Sequence, residues 1–569
     1  MKYSQATEQT NSFLIRNNTE SYFAPGKSAW RFAGRSFASS LILFLLVTFL
    51  NACAAGKGSG SETENTKTST AAPALPSPSP VSRKIDPTIA HALDALLNRS
   101  EYQTGRWGVA VMSLADGKLI YDHNGNSLFT PASNMKLYTT AVALDLLGAD
   151  YRWRTSVYAT TEPDASGTIG GDLILYGRGA PDLLSANVKE NANSLAELAL
   201  ALRKRGITQV RGNVIGDESY FRGDPIGTGW QWNDLQWYFG AEASALTVNG
   251  NTVDVNLTPP KDIHDKPKVV SSDKEDYVQI ANNVAAVERG GPFELGVQRG
   301  LSDNKVTLWG EMPLNSNGLG VRLSVHQPAA WAARLFLSAL KANSVTVDGK
   351  AFSRDSRVPE NQRFDSSGKP ELAAIFSLPL SAIIKETNKE SLNLYAELLL
   401  RTLGRERSAM LPNPAPRGRE RGDEESGTDL ISLWLNRSGI NTSGMAIHDG
   451  SGLSRLNLVT PSATAQLLYV IRQRTGGQIF LDSLPISGTD GTLSGRLQSV
   501  RGRVAAKTGT LTYDHSLSGY VVTTDGQNLA FSIMSNDLAS EKLTPRLIDD
   551  LVTTIAESHV NAPHSPKAK

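Results

Sequence analysis

Sulfur is nearly absent from this chain, with one cysteine, Cys53, in 569 residues. A single thiol makes neither a disulfide framework nor a thiolate metal cage. An excess of either charge is missing too: 57 basic side chains face 56 acidic ones, for a formal charge of +1. That balance supplies no global field for collecting nucleic acid or an anionic membrane. The apolar run at residues 41–50 (LILFLLVTFL) is only ten residues long. As a helix it rises about 15 Å, half the hydrocarbon thickness, so it does not span a bilayer. The eight histidines show no His-Glu-x-x-His pairing, so neither metal nor cofactor is expected and the chemistry must rest on oxygen and nitrogen groups. At 40% hydrophobic residues, the chain has enough apolar content for real cores and enough length for more than one domain, which excludes disorder throughout.

Arg31 and Arg35 precede the apolar run, and Asn51, Ala52 and Cys53 follow it. This is the layout of a signal-peptide core. Leu50-Asn51-Ala52-Cys53 resembles a bacterial lipobox, in which the cysteine is acylated and becomes the first mature residue. An ordinary signal peptide with a chance cysteine is the alternative. Cys53 is therefore the expected lipidation site, acyl chains the expected membrane hold, and the cell envelope the expected location, on the periplasmic side where there is an outer membrane. Removing residues 1–52 takes five basic and two acidic side chains and leaves a charge of −2, so the positive balance belongs to the leader. Residues 53–84 are rich in Gly, Ser, Thr, Ala and Pro and read as a flexible tether.

Past the tether, 89–97 carries a helical apolar pattern, and 108–112 and 119–121 read as strands joined at Asp116-Gly117. A helix is expected over 133–147, ended by Gly148. Near the other end, 504–507, 519–523 and 529–535 read as strands and 546–557 as a closing helix. Hairpins from both chain ends with helices between them predict one α+β domain split in sequence, with an antiparallel sheet flanked by helices. Its first part is placed at 85–150 and its second at 366–560, around a large inserted α/β region at 151–365, with a tail at 561–569. The Arg-, Glu- and Pro-rich segment 404–427 reads as a solvated surface loop.

The chemistry-bearing residues begin with Ser133-Asn134-Met135-Lys136, at the start of the expected helix. Serine and lysine three apart share a helix face. A lysine serves as base for a serine only when its amine is partly neutral, which needs desolvation or nearby positive charge. Backbone N–H groups at the helix start can also stabilise an oxyanion. Ser-x-x-Lys also occurs at Ser271/Lys274, Ser302/Lys305 and Ser366/Lys369, in polar contexts without a following apolar helix. By itself the Ser133 pair fits a capping serine beside a surface lysine equally well. Two more elements add to it. Ser391-Leu392-Asn393 opens the apolar stretch LNLYAELLLRTL, and Lys507-Thr508-Gly509-Thr510 sits on an expected strand, where the glycine lets a ligand backbone approach.

Ser-x-x-Lys, Ser-x-Asn and Lys-Thr-Gly in that order form the signature of penicillin-binding proteins and class A β-lactamases. The 258 residues between Ser133 and Ser391 narrow the likeness. The chain resembles the class C low-molecular-mass penicillin-binding proteins, the D-alanyl-D-alanine carboxypeptidase/endopeptidases of peptidase family S13, over about 90–560. Further stretches share the resemblance: Gly171-Asp172-Leu173, Val210-Arg211-Gly212-Asn213, Trp232-Asn233-Asp234, Gly240-Ala241-Glu242, the run from Asp449-Gly450-Ser451-Gly452 to Arg455, and Gly488-Thr489-Asp490-Gly491-Thr492. Leu392 departs from the aspartate common in Ser-x-Asn.

The resemblance implies a penicillin-binding-protein/serine β-lactamase-like fold and a serine D-Ala-D-Ala carboxypeptidase acting on peptidoglycan peptides and inhibited by β-lactams. It casts Ser133 as nucleophile, Lys136 as its base, Ser391 as proton relay to the leaving amine and Asn393 as donor to the substrate amide. Lys507 supplies positive potential, and Thr508, Gly509 and Thr510 form the strand that binds the terminal carboxylate. Asp234 and Arg455 are expected to receive the amino group and carboxylate of a diaminopimelyl side chain, with a structural ion pair or a surface charge as the alternative for each. A β-lactamase or esterase on the same fold, or a non-catalytic cell-wall binder anchored to the envelope, remains open at this level. No nucleic-acid partner is implied.

Overall fold

The computed structural model describes residues 14–16, 87–184, 194–412, 421–540 and 542–560. Of the expected leader it describes only a short strand, Leu14–Arg16, paired antiparallel with 294–296. Cys53, the tether and the tail lie outside the described residues.

Ile89, Leu93 and Leu97 recur every four residues and give helix α1 (Pro87–Leu97) one apolar face. Strands β1 (Arg106–Ser113) and β2 (Leu119–His123) follow, and then α2 (Met135–Leu147). The first ten residues of α2 are all buried, so this helix lies inside the core and carries Lys136 with it. Later come α3 (Leu380–Lys389), α4 (Asn393–Arg407), α5 (Asp423–Arg437) and α6 (Pro461–Arg472). Strands β3 (Val504–Leu511), β4 (Asp514–Val522) and β5 (Asn528–Asn536) and helix α7 (Leu543–Glu557) close the chain.

The two chain ends build one antiparallel sheet of order β3-β4-β5-β1-β2. Alternation along the strands sends Val109, Val111, Leu517, Phe531 and Ile533 to the side where α1 and α7 pack. The opposite face meets α2 to α6 around Leu137, Val142, Ile383, Leu399, Leu430 and Leu467. The expected α+β domain split in sequence is therefore a sheet between two helical layers. Strand β3 runs four residues past its expected end at 507, because Thr508 to Leu511 continue to pair with Leu517 to Asp514.

Between α2 and α3 stands a mixed five-stranded sheet. Its order is Ala351–Arg354, Val214–Asp217, Leu173–Tyr176, Arg154–Ala159 and Glu371–Phe376, and helices Leu195–Lys204 and Pro328–Ala342 cover it. A second group of strands gathers around Val255 and Leu308 and packs on Trp331 of the helix Pro328–Ala342. The last strand of the mixed sheet corrects the expected boundary at 365. Glu371–Phe376 pairs with Arg154–Ala159, so the chain leaves the inserted region only at Ser377. There the entering and leaving strands meet, with Ser377 N donating to Trp153 O and Trp153 N donating to Ser377 Oγ.

The segment 404–427 is not a loop at its ends. Helix α4 reaches Arg407 and α5 starts at Asp423. The two pack so closely that a Cβ on Gly404 would stand 1.9 Å from Asp423 O. Only 413–420 lie outside the described residues.

Candidate active site

Ser133 sits in a one-turn 3₁₀ helix, Ala132–Asn134, that leads into α2. The residue before it, Ala132, holds a left-handed φ of 47°. Such strain persists only where the surroundings over-determine it. They do so here: Asn134 Nδ2 donates to Lys507 O at 2.8 Å, Ser516 Oγ donates to Pro131 O at 2.7 Å, and Gly452 lies where a Cβ would come within 1.8 Å of Ala132 O. The turn is thereby clamped to β3 and β4.

Lys136 Nζ lies 2.8 Å from Ser133 Oγ, 2.6 Å from Asn393 Oδ1 and 2.8 Å from Ser451 O, and the side chain is fully buried. The desolvation that a base lysine needs is present. The partners also suit a neutral amine. Its two N–H groups can go to the Asn393 and Ser451 oxygens, which only accept, leaving the lone pair for the Ser133 hydroxyl, which can donate. Asn393 is held in the orientation this requires, since its Nδ2 donates to Phe239 O at 2.9 Å.

Ser391 holds a left-handed φ of 59° just before α4. Lys507, also fully buried, donates to Ser391 Oγ at 2.8 Å and to Thr508 O at 2.9 Å. The edge of β3 explains why alternate backbone groups are available there. Val504 O accepts from Ser487 N, and Ala506 N donates to Pro485 O, so even-numbered residues turn away from β4. By the same alternation the Thr508 and Thr510 amides face off the edge. Ser133 N, in the first turn of a helix, has no intrahelical acceptor. It lines a narrow cleft with Phe239, Asn393, Gly452, Leu453, Thr510 and Leu511. Ser133 and Thr510 therefore line one cleft, each with its amide outside its own helix or ladder bonding.

Gly509 also makes room within the protein itself. A Cβ there would meet Ser516 Oγ at 2.2 Å, Pro131 O at 2.8 Å and Ser133 N at 3.0 Å. The backbone that approaches this glycine is the protein's own nucleophile turn. Thr508 Oγ1 donates to Thr492 Oγ1 at 2.8 Å, which fixes the Thr508 hydroxyl.

Asp234 and Arg455 are near enough to feel each other's charge but are differently engaged. Burial pushes the Asp234 carboxyl up to about 6, against the opposing pull of Arg455. Arg455 is bound elsewhere: its Nη1 donates to Asp514 Oδ2 at 2.9 Å and to Thr512 O at 3.3 Å. The structural ion pair considered as the alternative for Arg455 is thus present.

Three residues at the site have no role in the sequence reading. Thr492 and Asp449 fall inside stretches noted only for their likeness. Glu397 was hidden in an apolar helix, although Asn393, Glu397 and Arg401 recur every four residues and so form one stripe of α4. Among the described residues, no three His, Cys, Asp or Glu side chains come together as metal ligands would.

The sequence profile of the D-Ala-D-Ala carboxypeptidase 3 (S13) family matches residues 89–558. A D-alanyl-D-alanine carboxypeptidase of Actinomadura sp. (strain R39) is 32% identical over 457 residues, covering 78% of this chain and 80% of that protein. The D-alanyl-D-alanine carboxypeptidase DacB of Haemophilus influenzae is 25% identical, covering 78% and 88%. The crystal structure of penicillin binding protein 4 (dacB) from Haemophilus influenzae superposes with a TM-score of 0.68 at 24% identity, over 81% of this chain and 97% of that one.

Proposed function

The chain belongs to the D-Ala-D-Ala carboxypeptidase 3 (S13) family, and from that premise we propose that it cleaves peptidoglycan stem peptides and their cross-links through an acyl-enzyme on Ser133. Its enzyme class is that of a D-alanyl-D-alanine carboxypeptidase. One observation carries the assignment of residues: Lys136 joins Ser133 to Asn393, 257 residues away, while Lys507 joins Ser391, 116 residues away. The second motif is thereby bonded to both the first and the third.

Ser133 Oγ attacks the carbonyl between two D-residues and its proton passes to Lys136 Nζ. The oxyanion forms between Ser133 N and Thr510 N, where removing one donor costs about 3–4 kcal/mol in hydrolases of this kind. The C–N bond breaks as the leaving amine takes a proton through Ser391. Water then attacks the ester, and acid and serine are released. Lys507 provides charge and the Thr510 hydroxyl a donor for the terminal carboxylate. Carboxypeptidase and endopeptidase action differ only in the leaving amine, free D-alanine or a cross-linking side chain. A β-lactam imitates the D-Ala-D-Ala terminus and acylates the same serine. A relative's structure is described as complexed with a β-lactam, which supports this reading.

Asp234 is assigned to the cationic amino group of the substrate's side chain. In a digest of purified sacculi the wild type is expected to release D-alanine and convert cross-linked dimers to monomers. With amine-bearing peptides, Asp234→Asn is expected to raise KM about 10-fold, ~1.4 kcal/mol, with kcat little changed. Asp234 is neutral below about 6 and ionised above it, so the wild-type KM rises as pH falls through that value. Undigested sacculi would refute the activity, and a KM flat from pH 5 to 7.5 would refute the role of Asp234.

Acylation at Cys53 holds the enzyme at the membrane in this reading, on the strength of Leu50-Asn51-Ala52-Cys53. Cys53→Ala protein is expected in the soluble fraction of cells. Its recovery with the membranes would overturn the anchor.

A further inference from the structure

Glu397 is a fully buried carboxylate on α4 that the reaction above does not use. Its Oε1 accepts from Gly450 N at 2.9 Å and from Ser451 N at 2.8 Å. The peptide unit following Ser451 carries the carbonyl that accepts from Lys136 Nζ. Glu397 therefore grips the turn whose next oxygen holds the lysine amine. The turn has two further restraints. Thr139 Oγ1, on α2, donates to Gly450 O at 2.7 Å, and a Cβ on Gly450 would stand 2.7 Å from Ala396 O, so the turn lies directly on α4. Asp449 accepts from Gly452 N, Ser454 N and Asn457 Nδ2.

The other side of the carboxylate faces the substrate loop. Arg401 Nη1 donates to Glu397 Oε2 at 2.9 Å, and Nη2 reaches Asp224 O at 3.2 Å and Glu424 at 3.7 Å. Glu424 accepts from Thr228 N, and Asp449 accepts from Trp230 Nε1. The loop that ends at Asp234 is thus tied through Arg401 and Asp449 to the turn that positions Lys136. Burial and the Asp449 charge both raise the Glu397 carboxyl, with Arg401 opposing and Glu424 adding to the rise. A buried carboxylate kept against such a penalty is typical of functional sites.

We propose that Glu397 is a positioning residue of the reaction proposed above: it sets the Ser451 carbonyl that directs the Lys136 amine at Ser133, and links that alignment to the seating of the 222–234 loop. It touches neither substrate nor nucleophile. The groups whose charge acts on it are Asp449, Arg401 and Glu424.

The test measures the acylation rate by a chromogenic β-lactam, and kcat and KM separately on a D-Ala-D-Ala peptide. In Glu397→Gln an amide oxygen can still accept the two N–H groups, but the charge is gone. The expected result is a fall of about 10-fold in kcat with KM within 2-fold, because the amide nitrogen then meets the Arg401 Nη1 donor and the grip on the turn loosens. Glu397→Asp retracts the grip by one methylene, so kcat falls while KM stays. Thr139→Val loosens the same turn from α2 without altering charge and is expected to lower kcat about 5-fold at unchanged KM. It serves in place of Glu397→Gln if that chain does not fold. Wild-type kcat in folded Glu397→Gln or in Thr139→Val overturns the proposal. So does a loss that only tracks the folded fraction. If acylation and peptide turnover are both absent in the wild type, the proposed function itself is what has failed.

Discussion

Ser133→Ala is expected to take up no labelled penicillin at any time of incubation, by gel and by intact mass, and to lose peptide turnover by about 10⁴- to 10⁶-fold. The size follows from removing the nucleophile of a group that acts as a unit, as in serine hydrolases where oxyanion donors and binding alone leave a small residual rate. The geometry predicts little else. Ser133 contributes only its hydroxyl to Lys136, which keeps its contacts with Asn393 Oδ1 and Ser451 O. The turn remains clamped by Asn134 and Ser516. Stability should therefore change by no more than about 1 kcal/mol, the worth of one ordinary hydrogen bond. Labelling of Ser133→Ala at the wild-type level would remove this serine from the mechanism and with it the whole assignment.

Lys136→Met should show the second-largest effect, with a different signature. Methionine is unbranched and fills a fully buried slot of similar shape. The general base is lost, a loss commonly worth 10²- to 10⁴-fold, and the full burial of the side chain argues for the upper end. Two oxygens, Asn393 Oδ1 and Ser451 O, lose their donor at about 1–3 kcal/mol each. Removing a buried amine offsets part of that cost. The variant should fold with a lowered melting temperature and take the penicillin label slowly but completely, because Ser133 is still there. Acylation within 10-fold of wild type would show that the proton goes elsewhere.

The sequence disclosed the site better than the architecture around it, and the reason lies in what each depends on. Ser133, Ser391 and Lys507 were legible because three short motifs occur in one order. No single one of them sufficed. Ser338 and Lys341 have the same Ser-x-x-Lys spacing on a true α-helix, Pro328–Ala342, yet that helix covers the inserted sheet. Ser302-Asp303-Asn304 is a Ser-x-Asn with the commoner central aspartate. There Asn304 instead bonds the His326 backbone through both ends of its amide. Local pattern cannot exclude such decoys, because only tertiary contact brings Lys136 to Asn393. The same limit hid Glu397, whose partners Gly450 and Ser451 lie 53 and 54 residues away. Element ends failed where a pattern stopped before its pairing did. Thr508-Gly509-Thr510 breaks the apolar run of β3 without ending its ladder, and the return strand Glu371–Phe376 belongs to the sheet of residues far upstream.

The central pairing of the sheet has a consequence for how the molecule is made. Strand β1 needs β5 as its neighbour, and Arg106 meets Asn536 across 430 residues. At about 5–20 residues per second the ribosome takes roughly 20–90 s to deliver that partner. In the interval the inserted region can settle from its own contacts. The junction of Trp153 with Ser377 then acts as a clip, closing a long loop early and bringing α2 toward α3 and α4 before β5 exists. The clamp on the nucleophile turn comes last, since Lys507 and Ser516 emerge after everything else it touches. Until those strands are in place, the turn that carries the serine lacks its bonds to Lys507 and Ser516. Chain order thus leaves the strands that complete the site, β3 and β4, among the last to be delivered.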